Sequence, residues 1–553
     1  MKKILGVRFG HDAAACLVIG GRIIADVAEE RFTRKKNDGS FPVHAIRFCL
    51  ESAEIEPSDL DAVAVASEYV APEFAYFFPG LIPPEAAAPV SQDPLPIYMD
   101  RFPVTRECRL VRVEHHRAHA ASAYYTAGLG RTERTLVAVL DGMGDRSSVS
   151  IWRGQGNRLE PLASWDGSGS IGRFYSAATE ALGWRHGSDE WKLMGLAPYG
   201  TPRPGLFDRF YPVYRDGELI EARSYARVHR FPDHGTFHYH MEEALALRDL
   251  LREVSREDFA AEAQRVAEEQ AQALILPWLD REGTRTLCCA GGFFLNVKLN
   301  GKLWQSGRID QHWVYPNPGD SGLPAGAALA AYYEAHPEAE MERLEHLYHG
   351  PEFSNAEIQA ALEARHIPYT RPADLPETVA RLLADNRILG WFQGRMESGP
   401  RALGGRSILM SPLRAENKDI INASVKYREA FRPFCPALLD EKKEDYLVQP
   451  RSEPFMITGF DAAPGRRDNI PAVVHVDGSL RPQTVQADVN PRFHALIEAF
   501  GNLTNEYVVL NTSFNVKGEP IVCTPSDAIK CFFDTGLEYL AIGDFLVAKP
   551  GIA

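Results

Sequence analysis

The segment "VEHHRAHAASAYYTAG", residues 113–128, sets His115, His116 and His119 within five positions and then continues in Ala, Ser and Tyr. On a helix, residues four apart lie one above the other, while neighbours are turned by about 100°. His115 and His119 therefore share a face, and their imidazoles can converge on one metal ion. His116 points elsewhere. The same spacing suits two partly buried histidines satisfied by hydrogen bonds, so a metal centre needs further ligands from other parts of the chain.

A second chemistry recurs in the C-terminal part. Arg395, Arg401 and Arg406 fall in "GRMESGPRALGGRSIL", Lys426, Arg428 and Arg432 in "VKYREAFRPFCPALL", and His475 and Arg481 in "VHVDGSLRPQTV". Asn511, Ser513, Asn515 and Lys517 follow in "VVLNTSFNVKGEP". Guanidinium and ammonium groups in short loops rich in Gly, Ser and Asn suit a small phosphate-bearing ligand. Taken singly, each could instead pair with one of the chain's own 74 acidic residues. Six arginines in Gly/Pro-flanked loops favour a pocket.

These groups must be positioned by a chain of 553 residues, too long for one core and suited to two to four domains. Its net charge of −14 argues against a general nucleic-acid binder, for which clustered Lys and Arg supply the affinity. Eight cysteines include no Cys-x-x-Cys, so neither a disulfide framework nor a zinc ribbon is expected. Charged residues interrupt the apolar part of "MKKILGVRFGHDAAACLVIGG", and no stretch reaches the roughly 20 apolar residues of a membrane span. A cytoplasmic protein with no membrane partner is expected.

"KILGVRFG", "HDA" and "AACLVIGGRIIADVAEE" read as strand, turn and hairpin, and "TLVAVLDGMGDRSSVSIWRGQGNRLEPLASW" repeats the plan with Asp141 at its first turn. The repeat predicts an internal duplication, with the pattern of the actin-like ATPases. A later strand runs into Gly291, Gly292 and Asn296 at a helix start, a place for a nucleotide against backbone N–H groups. Asp320 sits in a Pro/Gly turn before an Ala-rich helix, and the charged stretch 330–355 reads as a connection between domains.

Taken in order, "GHDAAACLVIGGRIIADVAEERFTRKKND", "HHRAHAASAYY", "DEWKLMGLAPYG", "AGGFFLNVKLNGKL", "GRMESGPRALGGRSIL", "FRPFCPALL", "RPQTV" and "LNTSFNVKGEPIV" resemble the antibiotic and nodulation-factor O-carbamoyltransferases over essentially the whole chain. The resemblance implies an α/β protein. Residues 1–345 would form an actin-like (ASKHA, TsaD-like) domain with duplicated halves, and residues 346–553 a YrdC-like α/β domain.

Carried over residue by residue, the resemblance implies a metal site of His115, His119, Asp141 and Asp320. Two imidazoles and two carboxylates suit Fe(II), Mn(II) or Zn(II), and the family favours Fe(II). His11 becomes the candidate general base, neutral near pH 7, with Asp12 orienting it. A turn-capping Asp beside a solvated His is the plainer alternative. Lys192, Gly291, Gly292 and Asn296 would hold the nucleotide portion of an adenylate. Arg401, Lys426, Arg428, Arg481, Asn511 and Ser513 would bind ATP, with its Mg²⁺, and carbamoyl phosphate, with Arg432 catalytic.

The implied reaction makes carbamoyl adenylate in the second domain and passes the carbamoyl group to a hydroxyl of a small natural product in the first. Competing expectations are threonylcarbamoyl transfer to tRNA, for which no basic stripe is present, and a non-catalytic ATP-dependent switch on an actin-like scaffold. The zinc-finger cysteines of hydrogenase-maturation carbamoyltransferases are missing. The Pro- and aromatic-rich stretch 70–105 is expected over the acceptor or in a dimer contact, and a homodimer is the default.

Overall fold

The computed structural model describes residues 2–70, 73–82, 101–130, 132–225, 227–233 and 236–552. Most of the stretch expected over the acceptor, residues 83–100, lies outside the described residues.

Strand β1 (Lys3–Arg8) is apolar on both faces, as suits the centre of a covered sheet. It pairs antiparallel with β2 (Ala14–Ile19), which pairs with β3 (Arg22–Ala28), and parallel with β4 (Ala62–Val65), which pairs with β5 (Arg109–Arg112). The order is β3-β2-β1-β4-β5. Strands β6 (Thr135–Leu140), β7 (Val149–Gln155), β8 (Arg158–Trp165), β9 (Thr286–Ala290) and β10 (Gln311–Val314) repeat it. Their order is β10-β9-β6-β7-β8, with the same antiparallel and parallel pairings. The duplication expected from two hairpins thus extends to two whole sheets.

A helix follows the last strand of each sheet: α1 (His115–Thr126) after β5, and a second, Ala-rich helix over residues 323–335 after β10. The two cross with backbones nearly touching, since a Cβ on Gly326 would lie 1.9 Å from the Ala118 carbonyl oxygen. A Cβ on Gly6 of β1 would likewise lie 1.9 Å from the carbonyl oxygen of Pro324. Any side chain at either position would force these elements apart. The result is that the His face of α1, the end of β1 and the turn carrying Asp320 meet at one point.

The third sheet holds β11 (Leu389–Phe392), β12 (Arg406–Met410), β13 (Cys435–Leu439), β14 (Gln483–Val485), β15 (Val508–Ser513), β16 (Tyr539–Ile542) and β17 (Phe545–Ala548), ordered β14-β13-β15-β12-β11-β16-β17. It is mixed, with β13/β14 and β11/β16 parallel. Alternate residues face opposite sides, as the pleat requires. Trp391 and Leu409 pack with Leu383 and Phe493, whereas Phe392 and Ile408 pack with Ile358 and Phe532.

Between the second and third sheets, residues 336–354 contain neither helix nor strand. They form a packed strap: the Asn157 amide donates to the carbonyls of His336 and Ala339, Leu347 is buried, and the Asp26 amide donates to the His349 carbonyl. All eight cysteines are free and buried. No helix among the described residues is long and apolar enough to cross a membrane.

Candidate active site

Helix α1 starts at His115 because the Glu114 side chain accepts from the Arg117 amide, satisfying one of the unpaired N–H groups of the first turn. The rings of His115 and His119 stand 4.8 Å apart, centroid to centroid. Asp141 leaves the end of β6. Its Oδ1 accepts from the Gly292 amide at 3.0 Å and its Oδ2 lies 3.3 Å from His115 Nε2. Asp320 places Oδ1 3.6 Å from His115 Nε2 and 3.7 Å from His119 Nε2, while its Oδ2 accepts from Arg8 at 2.8 Å.

One ligand atom from each of these four residues lies within 4.8 Å of all the others. The His119 Nε2 is buried and has no hydrogen-bond partner, an orphan that a cation would satisfy. Burial opposes ionisation of Asp320, but Arg8 and the two imidazoles hold it well below the usual carboxylate range. Asp141 is likewise buried, yet its contact with His115 holds it at about 2. Ionised carboxylates and buried imidazoles are the donor set a divalent transition metal takes. His116 turns away, its Nδ1 2.8 Å from the Ser150 hydroxyl, and burial lowers it to about 3, leaving a neutral structural ring.

A cavity of about 830 Å³ opens from this quartet and reaches the third sheet. From the first part of the chain His11, Asp12, Asp141, Asp320, Lys192, Gly292 and Asn296 line it. From the second come Arg401, Lys426, Arg428, Arg432, Arg481, Asn511 and Ser513. Residues from both sets expected from sequence are therefore walls of one space.

Within it, His11 Nδ1 lies 2.9 Å from Asp12, which sits at φ 59° and also accepts from Asn37 at 2.7 Å. The adjacent carboxylate raises His11 to about 9, overcoming the opposing effect of burial. The ring expected to be neutral near pH 7 instead holds its proton there, because a charged partner lies in hydrogen-bond contact.

At the other end, burial pushes the guanidiniums of Arg401 and Arg428 down to about 9 and that of Arg432 to about 10, and neighbouring arginines add to the effect. Arg401 Nε and one terminal nitrogen of Arg428 are buried without a partner. Desolvated cations with Glu429 near Arg432 as modest countercharge are chemically suited to an anion. Arg481 aims its guanidinium at the Cys435 sulfur, with contacts of 2.8 and 3.0 Å.

Several expected ligands have other duties. Gly291 does not line the cavity; at φ 102° it lets the end of β9 pass Leu140, whose carbonyl oxygen a Cβ would meet at 2.2 Å. The Gly292 amide is spent on Asp141, and the Asn296 side chain caps the following helix at Leu299 and pairs with Gln264. Lys426 is buried and binds the Ser513 carbonyl and both the carbonyl and side-chain oxygens of Asn515, so it shapes that loop. Asn511 donates to Ala402 and Gln483.

Arg395 and Arg406 do not line the cavity. Arg395 bonds the carbonyls of Ile24 and His349, and fully buried Arg406 bonds those of Gln393 and Pro351. Both hold backbone together. Conversely, sequence reading passed over Arg8, Lys36, Trp191 and Glu429, which line the cavity or bind its walls. Lys36 is exposed to the cavity, and its desolvation there lowers the ammonium despite Glu30 and Asp189 nearby.

The family model described as "Carbamoyltransferase N-terminus" matches residues 3–72 and 95–329, and "Carbamoyltransferase C-terminus" matches residues 380–549. The chain belongs to the carbamoyltransferase family. Nodulation protein NolNO of Sinorhizobium fredii is 36% identical, over 98% of this chain and 79% of that protein. Nodulation protein U of Bradyrhizobium diazoefficiens is 29% identical over 93% and 92%. Among solved structures, full-length HypF in its phosphate- and nucleotide-bound form aligns with a TM-score of 0.36 and 14% identity, over 61% of this chain and 56% of that one.

Proposed function

We propose that the chain is an ATP-dependent O-carbamoyltransferase, with residues 346–553 forming carbamoyl adenylate and residues 1–345 transferring its carbamoyl group to a hydroxyl of a small natural product. The observation that carries this reading is the single cavity joining the arginine cluster to the quartet and the His11–Asp12 pair. A carbamoyl group is a poor electrophile because its nitrogen donates into the carbonyl, so activation precedes transfer.

In the first half, water cleaves carbamoyl phosphate to carbamate and phosphate. A carbamate oxygen then attacks the α-phosphorus of ATP, bonding to it as the bond to pyrophosphate breaks. Both steps gather negative charge on phosphoryl oxygens, which Arg401, Arg428, Arg432 and Arg481 face, with Mg²⁺ arriving on the nucleotide. Enclosure in the cavity keeps water from the adenylate.

In the second half, the acceptor hydroxyl oxygen bonds to the carbamoyl carbon, AMP leaves, and the hydroxyl proton passes to His11 in its neutral form, which becomes more populated as pH rises toward about 9. Asp12 holds the ring in place and stabilises the imidazolium that forms. Asp141 and Asp320, with His115 and His119, would hold a divalent metal, Fe(II) by family, supplying a Lewis acid for the adenylate's phosphate. Lys192 lies beside the nucleotide path. A cytoplasmic enzyme, with a homodimer as its simplest assembly, accords with this chemistry.

The test is carbamoyl-phosphate-dependent exchange of labelled pyrophosphate into ATP, without acceptor. Exchange supports adenylate formation. ADP production instead would favour the ATP-dependent switch.

A further inference from the structure

Trp191 belongs to helix α2 (Glu190–Leu196), in the first part of the chain, yet its ring lies under an arginine of the second. The Arg432 Cζ stands 3.3 Å from the centroid of the Trp191 ring. The indole is itself fixed, since its Nε1 donates to the Ser188 carbonyl at 2.9 Å. Among the described residues the Arg432 side chain has one hydrogen-bond contact, a long one to Glu429 at 3.4 Å, and Glu429 is shared with Lys192 and Lys517 at 3.9 Å each. The preceding Phe431 is seated by the first part as well, 5.9 Å from the ring of Trp184 and beside Gly195.

We propose that Trp191 is a positioning residue for Arg432, holding its guanidinium flat so that its free N–H edge meets a phosphoryl group entering the cationic end of the cavity. This rests on the reading of Arg432 as an anion-binding group. An aromatic face attracts the guanidinium without neutralising it, whereas a close carboxylate would compete with the incoming anion. The stack also fixes rotatable bonds before the ligand arrives, so less freedom is lost on binding. Through this contact the first part of the chain sets the affinity of a site built mainly from the second.

Pyrophosphate is the probe, its binding to the full chain followed by calorimetry. Trp191→Leu, which keeps apolar volume but loses the π face, weakens binding by about 5- to 30-fold, and Trp191→Phe restores most of it. Arg432→Ala weakens binding too, and adding Trp191→Leu to Arg432→Ala has no further effect. Mn(II) binding by the quartet, measured on each variant, stays at the wild-type value and shows that the chain has folded. Equal losses in the Leu and Phe variants, additive losses in the double variant, or no pyrophosphate binding by wild type would each overturn the inference. Coupled pyrophosphate binding in a protein that makes no carbamoyl adenylate would leave the positioning role standing and overturn only the catalytic reading.

Discussion

The two ends of the cavity solve opposite electrostatic problems. At the quartet, two buried carboxylates are kept ionised by Arg8 and two imidazoles, and each has a second oxygen anchored by a protein donor. At the far end, guanidiniums crowd together with Glu429 as the nearby carboxylate, and some of their nitrogens are unpaired. On the proposed reading, the quartet would retain a cation through its own second layer, and the far end, short of countercharge, would trade an anion.

Breaking the quartet should have the largest effect. Asp320→Ala is expected to remove stoichiometric binding of Fe(II) or Mn(II) and to lower transfer at least about 100-fold, with a much smaller loss of acceptor-free adenylate formation. Metal analysis and the two half-reactions, assayed separately, check this. Equal losses in both halves would erase the distinction between the ends.

The converse variant is Arg432→Ala. It should reduce adenylate formation by about 100-fold while metal content stays unchanged, as the loss of one charged donor from a transition-state clamp does.

Arg8→Ala sharpens the comparison, because it keeps all four ligands and removes only the anchor of Asp320. Metal affinity should fall about 10-fold or more, as read by competition with a chelator.

The His11–Asp12 pair predicts a pH dependence. Asp12 raises His11 to about 9, so the neutral ring that accepts a proton becomes more populated as pH rises through that value. Transfer by the wild type should climb between pH 7 and 9.5, roughly, and in Asp12→Asn the rise should move toward about 6.5. A profile unchanged by Asp12→Asn would remove His11 as the base.

The smallest effect concerns the strap between the parts. Burial raises the Asp26 carboxyl to about 7, and both its oxygens are buried. An acid whose folded pKa is raised costs stability once pH passes its unfolded value, in full above the folded one. Asp26→Asn should therefore raise Tm by about 2 °C at pH 8 and leave it unchanged near pH 3. Scanning calorimetry at both values decides it.

Much of this was legible in the chain. His115 and His119 follow from helical spacing, and the duplicated sheets from two hairpins of one plan. Asp141 stood out as a turn aspartate able to hold a metal, whereas Asp320 joined the candidate quartet only through resemblance, because its approach to the histidine helix depends on Gly6 and Gly326 letting backbones touch. Gly291 misled because a turn that admits a phosphate and one that admits a neighbouring strand share a sequence. Arg395 and Arg406 misled because a loop arginine shows its charge but not whether carbonyls surround it. Trp191 gave no sign, since the arginine it carries lies 241 positions away by number, 432 less 191.

On the proposed mechanism, the cationic end makes an adenylate for use at the quartet. Mass spectrometry of the protein with ¹³C-labelled carbamoyl phosphate, ATP and Mg²⁺, without acceptor, tests it most directly. Labelled carbamoyl adenylate and pyrophosphate, formed by wild type and lost in Arg432→Ala, are the predicted result. ADP as the sole nucleotide product, or AMP formed equally well without carbamoyl phosphate, would contradict it.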